Sequence, residues 1–124
     1  MSEAQEGWHR VLAAFEDWIV YESTEYGPYT GYFSVNALRD LTHKERIGWM
    51  RSMYEDIIPG RVERCKAARV AFEDFLPYMP DRDAIEVVRS MIELSELLAD
   101  EMLAMSDIVH NMKEEYSDGE LDEL

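Results

Sequence analysis

Residues 84–112 run Ala84-Ile-Glu-Val-Val-Arg-Ser-Met91-Ile-Glu-Leu-Ser-Glu-Leu-Leu98-Ala-Asp-Glu-Met-Leu-Ala-Met105-Ser-Asp-Ile-Val-His-Asn-Met112. Ala84, Val88, Met91, Ser95, Leu98, Met102, Met105, Val109 and Met112 recur at alternating steps of four and three, the period of a single buried stripe on a helix. Glu86, Glu93, Asp100, Asp107 and Glu114 recur every seven residues. Relative to the apolar seam they occupy the outward f position of a heptad. One long helix with a packed inner face and an acidic outer face is therefore expected. Asp83-x-x-Glu86 is expected to cap it, and it should reach about residue 115, ~50 Å at 1.5 Å per residue.

Upstream the pattern stays helical. Ser2 with Gln5 forms a capping-box signature. Trp8, Val11, Leu12, Phe15, Trp18 and Ile19 follow at helical spacing to about Tyr21. Gly27-Pro28 and Gly31 then signal a tyrosine-rich loop over residues 22–33. Ser34 opens a short helix through Leu41. Thr42 and Glu45 form a second capping box, followed by Ile47, Met50, Tyr54, Ile57 and Ile58 on one face. Pro59-Gly60 should end or kink that helix. A further helix over residues 61–76 carries Val62, Cys65, Ala68, Phe72 and Phe75, and Pro77 and Pro80 bracket a break. No segment alternates like a strand. The expected fold is all-α, a helical bundle within residues 1–116, with residues 117–124 as an acidic tail. A ~50 Å helix exceeds the ~35 Å diameter implied for a compact chain of this size. Its apolar face should therefore fold back or meet another chain, which points to a homodimer.

Charge separates the functional classes. The net charge is −15, distributed as −5 over residues 1–38, +3 over 39–69 and −13 over 70–124. Such a surface repels nucleic acid phosphates and anionic membranes, and attracts a basic groove with an on-rate that falls as salt rises. Cys65 is the only cysteine, so no internal disulfide is possible. Residues 1–6 lack a basic start and an apolar run, and no stretch approaches the roughly 20 apolar residues of a membrane span. A cytoplasmic location is expected.

Few residues suggest catalysis, and none is assigned a catalytic, metal or cofactor role. Asp107-x-x-His110 with Glu114 has the spacing of a di-iron carboxylate site, but those ligands face a bundle core. Here they lie opposite the seam, as a solvated face would. Glu22-x-x-Glu25 and Glu93-x-x-Glu96 resemble magnesium-binding pairs without a second partner pair. His9 faces no candidate nucleophile, His43 follows a helix cap, and Cys65 sits on an apolar face as a small hydrophobe. Tyr26, Tyr29 and Tyr32 suit either an interface or one end of the core. The acids that remain form the candidate partner-binding set: Glu86, Glu93, Glu96, Asp100, Glu101, Asp107, Glu114 and Glu115. The eight bases between Arg39 and Arg69 are an alternative destination for that charge.

Tyr54-Glu-Asp-Ile57, Phe72-Glu-Asp74 and Met79-Pro-Asp81, followed by the long amphipathic helix and acidic tail, resemble the Ocr-type antirestriction proteins of phage over roughly the last 70 residues. The resemblance implies an all-α dimer whose carboxylates imitate DNA phosphates in a restriction enzyme's groove. The expected function is a non-enzymatic inhibitor or regulator of a basic nucleic-acid-binding protein, such as a phage or mobile-element inhibitor of restriction or CRISPR defence. One alternative is an assembly subunit docking through the Met-rich seam and the tyrosine loop. Another is a metal-dependent helical enzyme.

Overall fold

The computed structural model describes residues 2–116, with side chains throughout except at residue 35 and residues 112–116. The expected acidic tail lies outside the described residues. Within them the chain is all-α: α1 (Glu3–Tyr21), a π-helical turn (Glu22–Tyr26), α2 (Gly27–Thr30), α3 (Val35–Arg39), α4 (His43–Ser52), a second π turn (Met53–Ile57), α5 (Ile58–Phe75), a 3₁₀ turn (Leu76–Tyr78) and α6 (Arg82–Tyr116). No strand occurs among the described residues.

Local chemistry sets most helix starts. Both capping boxes form: Ser2 and Gln5 at α1, Thr42 and Glu45 at α4. The hydrogen bonds from Thr42 hold the Glu45 carboxyl below the usual range. Ser34 accepts from the Ala37 N–H at 3.1 Å and opens α3. α6 begins one residue earlier than its expected cap. Asp81, not Asp83, accepts the Ala84 N–H at 2.9 Å, because the break after Pro80 leaves Asp81 in the half-in capping position.

The two proline signals act differently from the sequence reading. Neither Pro28 nor Pro59 breaks the chain's helical path. Each follows a π turn, which adds one residue to the helix. The Gly27 N–H bonds to the Glu22 carbonyl and the Ile58 N–H to the Met53 carbonyl. Widening the ladder just ahead of each proline accommodates a residue that lacks an N–H and crowds the preceding turn. At the first turn, the hydroxyls of Ser23 and Thr24 donate to carbonyls of Ile19 and Val20. The expected loop over residues 22–33 is thus helical through Thr30.

This continuity explains how α6 is covered. Residues 43–75 run helical without interruption and match α6 in length. The second π turn stacks Tyr54 on His110, Arg61 of α5 reaches Met102, and Cys65 lines the same groove as Ser95 and Ala99. α6 therefore runs antiparallel to this stretch. Val88, Ser95, Met102 and Val109 are buried, and Met91, Leu98 and Met105 pack against the core. From Val88 to Val109 the seam is filled by the chain itself, so this length of it is not an open docking surface. α1 packs along α5 on another side, through Trp8 on Phe75 and Phe15 edge-on to Phe72.

Candidate functional site

Burying the seam fixes which way the acids point. Glu86, Glu93, Glu96, Asp100, Glu101 and Asp107 are all exposed. Steps of seven residues place Glu93, Asp100 and Asp107 at ~10.5 Å intervals along the axis. The side chains of Glu114 and Glu115 lie outside the described residues. Among the described residues, the ion pair formed by these acids is Arg82–Glu86 at 3.4 Å, with Arg82 itself almost fully exposed. Such a pair contributes little.

The nearby bases do not cancel the row. Arg61 pairs with Glu22, Arg64 with Asp17 and Glu63, and Arg69 with Glu73. Lys66 and Arg69 do line one groove with Glu96 and Asp100, so that edge of the row is partly screened. Arg46 is buried and donates to the carbonyls of Leu38 at 2.8 Å and Arg39 at 3.2 Å, tying down the C-terminal end of α3 where its dipole favours a cation.

The three tyrosines separate. Tyr26 is buried beneath the Arg61 guanidinium, 4.0 Å from its ring centroid, and burial pushes its phenol pKa up. Tyr29 is half-buried and packs against the core. Tyr32 remains available and, with Phe33, meets Trp49 edge-to-face. Of the expected interface aromatics, Tyr26 is therefore part of the interior.

Arg61 also exposes a polar junction that pattern reading missed. One Glu22 oxygen accepts from Trp18 Nε1 at 2.7 Å and from Arg61 Nε at 2.7 Å, joining α1, the first π turn and α5. The Trp18-to-Glu22 spacing of four was visible, but its partner lies 39 residues away. Next to it Tyr21 donates to the Ile57 carbonyl at 2.7 Å.

His110 departs from the expected solvated face. Its ring stacks on Tyr54 at 4.8 Å between centroids, and Nδ1 is buried with no partner among the described residues. Among those residues no group of three or more His, Cys, Asp and Glu is placed to hold a metal ion. Cys65 is buried as expected, and burial pushes its thiol pKa up to about 11. Only about one molecule in a thousand would then carry the thiolate at pH 8. Cys65 should resist a thiol-specific reagent at that pH in the native protein and react at once in denaturant. Fast native labelling would contradict the packing described here.

No helix among the described residues is long and apolar enough to cross a membrane. Comparison with family models, with curated proteins and with solved structures finds no match.

Proposed function

We propose that this chain is a carboxylate-presenting interaction protein that inhibits or regulates a basic, nucleic-acid-binding partner. One observation carries the reading: Glu93, Glu96, Asp100, Glu101 and Asp107 stand exposed, in no ion pair among the described residues, on a helix whose other face is buried. Repulsion along such a row is relieved when cations of a partner enter. The spacing of ~10.5 Å is sparser than the charge of a DNA strand, and Glu96 and Glu101 bring it nearer. Inhibition of a host-defence nuclease by phosphate mimicry is the concrete form of this proposal.

The test is capture on immobilised protein from bacterial lysate, eluted by rising salt and by competing DNA. A triple change of Glu93, Asp100 and Asp107 to Lys should abolish capture of a DNA- or RNA-handling complex, with helicity unchanged by circular dichroism. Undiminished capture by the triple variant sinks the proposal. The alternative assembly role loses the seam as its surface, since Met102 is buried and Leu98 packs against the core, and keeps the tyrosine segment, where Tyr32 and Phe33 stay exposed.

A further inference from the structure

α6 displays more than carboxylates. Val87, Leu94 and Ile108, in register at multiples of seven, are exposed, as is Leu97, at 63, 46, 61 and 59% respectively. They lie on the flank between the buried seam and the row of Glu86, Glu93, Asp100 and Asp107, and Glu101 falls in their own line. Single exposed aliphatics are ordinary on a protein surface. A line of them over six turns, rimmed by acids on one edge, is the pattern of an unpartnered interface.

At its C-terminal end the line enters a cleft of about 310 Å³ bounded by Tyr32, Phe33, Leu38, Trp49, Ile108 and Val109. Its walls are almost wholly apolar. Trp49 is held by edge-to-face contacts at 6.3 Å to Tyr32 and 5.9 Å to Phe33. Arg46 fixes the α3 end that supplies Leu38. That volume is at the lower end of the roughly 300–1,000 Å³ typical of ligand pockets, and suits one or two inserted side chains.

We propose that this flank and cleft receive a basic amphipathic helix of another protein. Its apolar side chains lie along Val87, Leu94 and Leu97, one large anchor enters the cleft beside Ile108, and its lysines and arginines reach the acid row. The inference rests on the partner-binding reading of that row and supplies the partner's chemistry. From Val87 to Ile108 the stripe spans ~32 Å, the length of a helix of about 20 residues laid in a groove. Charge selects this occupant over a second copy. Two such rows brought face to face would set acids against acids, with Arg82 and Arg89 the only bases between residues 82 and 112.

Two synthetic 20-residue helices with identical lysines test the proposal, one with a leucine and tryptophan face and one with glutamine at those positions. Binding to the full chain is followed by fluorescence polarisation. The apolar-faced peptide should bind at least tenfold tighter than its glutamine counterpart. Leu97→Ser with Ile108→Ser should remove that advantage and leave the glutamine peptide unchanged; both positions are exposed, so circular dichroism should be unaltered. Equal binding of the two peptides, or wild-type binding by the serine variant, overturns the proposal but leaves the acid row untouched. Tight binding that neither salt nor Glu93→Gln with Asp100→Gln weakens overturns it together with the acid-row reading. A dimer in sedimentation equilibrium that the serine variant dissociates would give the stripe to a second copy, and overturns it as well.

Discussion

Arg61→Ala is expected to lower stability by about 2–3 kcal/mol, although it deletes a charged side chain. Arg61 has a side chain only 14% exposed and pairs with Glu22, which is 31% exposed. Removing one partner of a buried pair typically costs ~3–5 kcal/mol because the other charge is stranded. Partial access of water to Glu22 places the expected loss below that range. The same substitution uncovers the Tyr26 ring and removes a contact to Met102 Sδ at 3.4 Å. Urea unfolding measures the change directly, and thermal melting should show a fall of roughly 10 °C. Glu22→Gln should be milder, since its amide oxygen still accepts from Trp18 and Arg61. A loss under about 0.5 kcal/mol for Arg61→Ala would mean that Glu22 is solvated and the junction carries little energy.

Gly60→Ala should destabilise to a similar degree, by about 2–4 kcal/mol, through overpacking and a lost hydrogen bond. A β-carbon at Gly60 would lie 2.8 Å from Cζ of Tyr21 and closer still to its hydroxyl. That hydroxyl donates to the Ile57 carbonyl, so the ring must move and the buried phenol loses its acceptor. Tyr21 also lies under Arg64, 4.4 Å from its ring centroid, which restricts where it can go. Tyr21→Phe removes the hydroxyl, so the double variant should be less destabilised than the sum of the two single changes. Strict additivity would show that the added methyl acts elsewhere. Alanine is otherwise the better helix former by ~1 kcal/mol, so a stabilised Gly60→Ala would directly contradict the close approach.

Both substitutions act where the chain passes through its π turns. The second of them bears on the proposed function indirectly: by carrying residues 43–75 past Pro59 without a break, it supplies a helical partner long enough to cover α6. With the seam covered, the acids and the apolar flank of α6 stay exposed.

The start of α1, the two capping boxes and the inward register of α6 were determined by sequence alone, because each rests on residues within about a turn of one another. The outward placement of Glu86, Glu93, Glu96, Asp100, Glu101 and Asp107 follows from the same register. Tertiary packing decided the rest. Whether a proline ends a helix depends on whether a bulge is stabilised around it, here by Tyr21 reaching Ile57 across 36 residues. Which tyrosine is buried depends on Arg61, and which apolar side chains stay bare depends on where α5 and α4 lie against α6. These are contacts between distant segments, so no local periodicity encodes them.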